Sequence, residues 1–456
     1  MKWISRTISE FAAGVTYEDL SPDAIYEVKR FLYDSIGCAL GGSRAHDVRI
    51  LRDVVDELGG VGECTLIGDG RTTSCYHAAL LNSLMIRVMD YNDIYWKQDP
   101  SHPSDLIPAV LAMAERQGKS GRDLILGVAL AYEFEQRLCE AAYPGIRERK
   151  WHHATLTAFA SPIAAGKMLD LSVDEMVNAI AISGCHNLTI GAVTAGKLTM
   201  MKNTVDPMAT ASGVMAALMA KRGYIGTEAI FEGKEGLFDT LGPDWKPDVL
   251  TNGLGESWRI TQCGMKAFPT EALTHAPITA TLKLVKENDI HPDQVVSVTV
   301  KTIARAVDIL ADPTKYRPDT KETADHSLPY VVSAAIADRM ITPLQFADDK
   351  LRDPVIRGLL PKVKAVADPE SEAAFPAKQL VEVIIETTDG KTYSERREYP
   401  KGDPRDPMTE SDLDDKFRAL AAGICSPDRM TQIKQSIWNL EHLPARAFAA
   451  GLLGDL

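Results

Sequence analysis

Residues 271 to 302, EALTHAPITATLKLVKENDIHPDQVVSVTVKT, carry two different periodicities side by side. The first part, to about residue 288, reads as a helix. In the second, Val296, Val298 and Val300 alternate with Ser297, Thr299 and Lys301, the two-residue period of a half-buried strand. Upstream of this junction the pattern is helical almost throughout. Ser21-Pro22 supplies an N-cap and a first-turn proline, Ile25, Val28, Leu32, Ile36 and Ala39 follow at three- and four-residue steps, and Gly41-Gly42 closes the helix. Similar stripes run through 46–58, 75–88, 105–117, 121–140, 154–169, 173–186 and 206–222, with Ser172 and Glu175 in capping-box spacing. AFASPIAAG and ATASGVMAALMA are small-residue around their whole circumference, which implies close helix packing inside a bundle.

Downstream, helices near 326–340 and 346–359 lead to VKAVAD at 363–368 and then to a hairpin turning at Asp389-Gly390. Helical spacing returns from about 405 to the end. The expected fold is mainly α: a large all-helical domain formed by 1–266 with 400–456, and a smaller α+β lid domain at 267–399.

Lys and Arg number 50 against 63 Asp and Glu, a net charge of −13 that argues against a nucleic-acid partner. Hydrophobic residues at 45% and charged residues at 25% describe an ordinary globular chain with a large core. Pro207 to Ala220, an uncharged apolar run, is too short to cross a membrane, and MKWISRTISEF has no signal-peptide pattern, so a cytoplasmic location is expected. Seven cysteines without a CxxC pair read as reduced core thiols rather than zinc or iron–sulfur ligands. HExxH and DxDxDG motifs are also missing, and neither metal nor cofactor is expected.

Polar clusters interrupt this apolar sequence at four places along the first three-fifths, and a companion lies further on. MDYNDIYWKQDPSHPSD, 89–105, sets Asp90, Asp93, His102, Ser104 and Asp105 in one interhelical loop; the structural alternative is a helix stop and restart capped by Ser104 or Asp105. RKWHHAT, 149–155, puts His152 and His153 before a small-residue helix, whose N-terminal N–H groups would suit a carboxylate. GAVTAGKLTMMKN, 191–203, offers Lys197 and Lys202; it matches GxxxxGK, but Leu198 replaces the Mg²⁺-binding Ser or Thr and a helix precedes it, so nucleotide binding is not expected. MKAFPTEALTH, 265–275, contributes Lys266 and His275, and its companion HSLPY, 326–330, contributes His326 and Tyr330.

Taken in order, these five blocks resemble the MmgE/PrpD family, which includes 2-methylcitrate dehydratases, cis-aconitate decarboxylases and an iminodisuccinate epimerase. The resemblance covers essentially the whole chain and implies a helical domain and an α+β lid with the site between them. It assigns the functional aspartate to Asp90, the HPS histidine to His102, the lysine to Lys202, the FPxxxxTH histidine to His275 and the HSxxY residue to Tyr330. The dehydratase pattern WDHxT matches His153, whereas the decarboxylase pattern GFHP falls nearer His152. Two residues more than the family spacing separate Asp90 from His102.

The resemblance implies a cofactor-independent lyase acting on a small polycarboxylate, with dehydration of 2-methylcitrate first, and a decarboxylase, an isomerase or epimerase, or a silent binding subunit as alternatives. Asp90, His102, His153, Lys202, His275 and Tyr330 would be catalytic, with His152, Ser104, Lys266 and Lys197 binding substrate. Imidazoles, lysines and a phenol can hold carboxylates and exchange protons without a metal. A homodimer is expected on the same ground.

Overall fold

The computed structural model describes residues 2–97, 99–195, 198–242 and 244–453; Lys197 therefore lies outside the described residues. The chain forms two compact units, residues 1–88, 92–263 and 410–456 in one, and 89–91 with 264–409 in the other. It is mainly helical, with twenty α-helices among the described residues. No described helix is long and apolar enough to cross a membrane.

In the first unit, Pro22–Gly42 is one helix, capped where Ser21 Oγ accepts the Ala24 N–H, as its sequence dictates. The centre of the unit is the pair Ala154–Met168 and Met201–Lys221, packed also against Cys75–Arg87, Gly121–Ala141 and Val173–His186. Their small residues permit close approach: a Cβ on Gly213 would lie 2.1 Å from Ser161 Oγ and 2.6 Å from the Pro162 backbone nitrogen. Ser161 donates its hydroxyl to the Thr210 carbonyl across the same contact at 2.6 Å.

Two expectations are corrected here. The Met201–Lys221 helix begins a turn before residue 206, so Pro207 is inside it rather than at its start. The early turn is anchored by buried Asn203, whose Nδ2 donates to Asp47 Oδ2 at 2.8 Å. The unit is also not wholly helical: Cys64–Thr65 pairs with Thr72–Thr73, and Asp93–Trp96 with Pro100–Ser101, in short antiparallel ladders. Ladders only two to four residues long give too few alternations for a period to register.

The second unit holds a four-stranded sheet in the order Val363–Ala367, Val295–Thr302, Val381–Thr387, Thr392–Arg397. Its first pair is parallel and the other two are antiparallel. Asp389-Gly390 makes the hairpin turn, with Gly390 at φ +81° where a side chain would be strained. The helix His275–Glu287 packs on this sheet, and Leu328–Asp338 packs on that helix. The helix expected over 346–359 is confined to Pro354–Leu359, because Asp353 caps it through the Val355 and Ile356 N–H groups and Pro354 occupies its first position.

Residues 89–91 join this unit through two bonds: Tyr91 Oη donates to the Ala267 carbonyl at 3.1 Å, and Lys266 Nζ donates to Asp90.

Candidate functional site

In the first unit three buried imidazoles form a cluster, tilted and edge-to-face. The rings of His152 and His153 are 4.0 Å apart, and those of His153 and His102 are 5.4 Å apart. Each ring is held differently. His102 Nδ1 is 2.7 Å from the Asp93 carbonyl oxygen, a group that only accepts, so Nδ1 carries hydrogen and the lone pair of the neutral ring lies on Nε2. His152 Nδ1 accepts the Ala154 N–H at 3.2 Å, which leaves its proton on Nε2. Burial, reinforced by the charge of His153, pulls His152 well below the ordinary histidine range, so this ring is a neutral donor.

His153 faces a carboxylate instead, with Nε2 3.4 Å from Asp206 Oδ2. Asp206 is the only acid on its 21-residue helix and stands one turn after buried Lys202, on the same face. Arg87 Nε lies 3.6 Å from both Asp206 and Asp105. Burial would lift both acids, but the charge and hydrogen bond of His153, with Arg87, hold Asp206 well below the usual carboxylate range. Asp105 goes the other way: burial, helped by the charges of Asp206, Asp93 and Glu135, raises it well above that range despite Arg87. Glu135 is likewise raised well above its ordinary value by burial, although Thr157 donates to it at 2.9 Å. Asp93 is pushed up to about 6 by burial, against hydrogen bonds from Ser104 and Tyr132. At neutral pH Asp206 is therefore anionic and Asp93 mostly so, whereas Asp105 and Glu135 are held toward their neutral forms.

Two readings change. The first N–H groups of the Ala154–Met168 helix do not await a ligand carboxylate, since Ala154 donates to the His152 ring, Thr155 to the His152 carbonyl and Leu156 to that of His153. Ser104 is fully buried and turned inward: its N–H and hydroxyl both donate to Asp93, at 2.9 and 2.6 Å, while Asn92 Nδ2 donates to its Oγ. Asp93, not Ser104 or Asp105, caps this restart.

The second unit carries its own constellation. Asp90 has a left-handed backbone, φ +53°, uncommon for a residue with a side chain. Lys266 clamps it, donating to Asp90 Oδ1 at 2.7 Å and to its carbonyl at 3.2 Å. His326 Nε2 is 3.9 Å from Asp90 Oδ2, and its Nδ1 is 2.5 Å from Asp325 Oδ1. Lys321 Nζ completes the row 2.9 Å from Asp325 Oδ2. Burial pulls Lys321 down, but the charge of Asp325 and its hydrogen bond prevail and hold it above the ordinary lysine value. The Glu271 N–H donates to the Asp325 carbonyl at 3.0 Å, tying the segment that carries His275 to this row. His275 Nε2 is 3.2 Å from the Thr270 carbonyl, which leaves Nδ1 as its acid–base nitrogen.

Tyr330 is placed elsewhere in that unit. It is fully buried among Ile278, Val331, Ala334 and Phe346, with its hydroxyl donated to the Gln345 carbonyl at 2.6 Å. Burial also pushes its phenol far above the ordinary value. The HSLPY block thus presents His326 to the charged row and uses Tyr330 for packing.

Two trios place ligand atoms within 4.8 Å of one another, His152, His153 and Asp206, and Asp90, Asp325 and His326. In both the carboxylates already face protein cations, Arg87 in the first and Lys266 and Lys321 in the second. That donor set suits proton transfer and anion binding better than a second cation.

Asp206, Arg87, Glu135 and Asp325 escaped the sequence reading. Arg87, Glu135 and Asp206 were visible as charges within predominantly apolar helical stretches, where burial demands a partner; Asp325 sits in a polar segment and gave no such signal.

Each unit thus carries buried imidazole and charge-compensated carboxylates, groups suited to acid–base chemistry. Residues 6–250 match the MmgE/PrpD N-terminal domain and residues 268–441 the MmgE/PrpD C-terminal domain. The chain belongs to the MmgE/PrpD family. It is 28% identical to a cis-aconitate decarboxylase-like protein of Aspergillus oryzae, over 93% of this chain and 91% of the relative. The cis-aconitate decarboxylase of Homo sapiens is 27% identical, over 97% and 93%. A 2-methylcitrate dehydratase of Salmonella typhi is 23% identical, over 88% and 86%.

Proposed function

We propose that this protein is a lyase acting on a small polycarboxylate without a cofactor, decarboxylation of a cis-aconitate-type tricarboxylate being its first reading. The observation that carries it is the cluster of His102, His152 and His153 beside Asp206, with buried Lys202 one turn earlier on the Asp206 helix. A neutral donor ring, a ring paired with a carboxylate and a lysine are groups able to hold several carboxylates. Losing CO₂ from the methylene carboxylate, one carbon removed from the double bond, leaves an allylic carbanion that the adjoining unsaturated acid delocalises, and a general acid then protonates the terminal carbon as the double bond shifts. His102, with its lone pair on Nε2, is suited to that exchange.

Decarboxylation takes precedence over dehydration of 2-methylcitrate because the decarboxylase relatives are 26–28% identical over 93–97% of the chain, against 22–23% over 88% for the dehydratases. Dehydration is the second reading, favoured by the WHHAT block, where His153 takes the place of the dehydratase histidine.

The test is an NMR time course in D₂O with chelator-treated protein and a panel of cis-aconitate, 2-methylcitrate, citrate and an epimerisable aspartate-derived diacid. Itaconate with one deuterium incorporated at carbon is expected from cis-aconitate. An unsaturated tricarboxylate from 2-methylcitrate would move the assignment to dehydratase, and deuterium exchange without elimination to an isomerase. Silence across the panel, or activity that returns only with added metal, would overturn the proposal.

A further inference from the structure

The mechanism just described has no role for the most polarised imidazole in the second unit. His326 stands in a row of alternating charge, Lys266, Asp90, His326, Asp325 and Lys321, with adjacent partners at 2.7, 3.9, 2.5 and 2.9 Å. The two contacts of the ring are unequal. At 2.5 Å, Asp325 Oδ1 is a hydrogen-bond partner and a carboxylate can only accept, so Nδ1 holds a hydrogen. At 3.9 Å, Asp90 Oδ2 is beyond hydrogen-bond reach of Nε2, near enough to favour positive charge on the ring but not to take its proton.

Asp325 is itself fixed. Lys321 holds its second oxygen, and its backbone carbonyl accepts from Glu271. Its side chain is fully buried whereas that of His326 is 16% exposed, so the solvent-facing end of the dyad is the imidazole. A buried carboxylate that locks one tautomer while the other nitrogen works is the arrangement that makes imidazole an efficient proton-transfer group.

We infer that His326, oriented by Asp325 as a positioning residue, is the proton-transfer group of the HSLPY block, working through Nε2. This rests on the polycarboxylate lyase reading. In the decarboxylation, the bond between the substrate carbon and its carboxylate breaks, CO₂ leaves, and the electron pair stays on the substrate as a delocalised carbanion. The Nε2–H of protonated His326 transfers its proton to carbon, the N–H electron pair remains on Nε2, and the neutral Nδ1–H ring regains a proton from water. Asp90 and Lys266, on the Nε2 side, set the local field, while Asp325 and Lys321 act on the Nδ1 side.

The experiment begins on the substrate-free full chain, so it does not depend on the substrate's identity. With ¹⁵N-labelled histidine, and His326→Gln to assign the signal, the neutral ring is expected to show the Nδ1–H tautomer. An Nε2–H tautomer overturns the inference. In Asp325→Asn the side-chain amide can donate to Nδ1, and the tautomer is expected to invert or mix. Once turnover is found on the panel, Asp325→Asn and His326→Gln should each lower kcat about 100-fold with KM changed less than about threefold. Asp325→Glu should restore part of the loss. Unchanged kcat in folded His326→Gln sinks the inference and leaves the lyase reading standing, whereas a silent panel with the expected tautomer sinks the lyase reading and, with it, the transfer step. If Asp325→Asn does not fold, the wild-type tautomer and His326→Gln kinetics still decide.

Discussion

Oδ2 of Asp206 lies 3.4 Å from Nε2 of His153, and that contact selects which of the two acids facing Arg87 is ionised. Asp105 and Asp206 both face Arg87 at 3.6 Å, yet only Asp206 has an imidazole beside it. The guanidinium alone offsets one carboxylate. The proton therefore resides on Asp105, and the anion on Asp206, next to the ring cluster.

Asp206→Asn removes that anion with little change of volume and leaves Arg87 facing a neutral amide. Breaking one side of a buried ion pair costs roughly 3–5 kcal/mol, and a urea midpoint lower by that equivalent is expected at neutral pH. The sign with pH follows from the depressed folded value. Stability from an ionised Asp206 is fully present above the ordinary aspartate value of about 4 and is lost as pH falls below it toward the folded value. The gap between wild type and variant should narrow between about pH 7 and pH 3.5. A gap that stays constant or widens would show that Asp206 is not the ionised member.

Glu135→Gln should behave oppositely. Glu135 is fully buried and raised, so the stability its neutral form provides is present below about 4.3 and is lost as pH rises through the folded value. Gln is neutral at every pH and keeps an oxygen for the Thr157 hydroxyl. At pH 8 the variant is expected to be more stable than wild type by at least ~1 kcal/mol, and by less at pH 5, in chemical denaturation. Equal stability at both values would mean that Glu135 is ionised without penalty.

The elements with long, consistent periods were legible in the sequence. Val295–Thr302 and the Asp389-Gly390 hairpin were readable because alternation or a turn dipeptide repeats over enough residues, and Pro22–Gly42 because its cap, period and stop all agree. The Asp93–Trp96 ladder was not, being four residues long inside a loop rich in turn formers. Among site residues, blocks with clustered polar groups were found, whereas Asp206 and Asp325 were passed over. The significance of Asp206 depends on His153 and Arg87, which other elements bring within 4 Å, and that of Asp325 on how the local backbone turns it toward His326 and Lys321; sequence spacing carries neither. Tyr330 and His326 show the same limit at short range: four residues apart in one block, one is packed in the core and the other reaches the charged row.

Packing at the centre of the first unit gives a test independent of chemistry. Gly213→Ala would place a methyl 2.1 Å from Ser161 Oγ and 2.6 Å from the Pro162 backbone nitrogen. The hydroxyl could rotate, but the backbone of a buried helix cannot yield, so a loss of about 1–3 kcal/mol is expected. Gly358 serves as the control, since a Cβ there meets nothing within 4 Å in the helix Pro354–Leu359. Gly358→Ala should be neutral or stabilising by up to ~1 kcal/mol. Similar melting temperatures for both variants would contradict the close helix contact.

Tyr330→Phe separates a structural phenol from a catalytic one. The hydroxyl makes one hydrogen bond, to the Gln345 carbonyl, and its ring lies 5.9 Å from that of Phe346 in an apolar cluster. Burial pushes the phenol upward, which makes it a poorer acid, and donating its proton to substrate would first require breaking the bond to Gln345. Phenylalanine fills the same space and leaves one carbonyl unsatisfied, so a loss of about 1–2 kcal/mol in thermal or urea unfolding is expected. Turnover should stay within about threefold of wild type, against the roughly 100-fold loss expected for His326→Gln. A comparable fall in kcat for Tyr330→Phe, in protein with an unchanged melting temperature, would return the tyrosine to the catalytic machinery and require Leu328–Asp338 to shift during turnover.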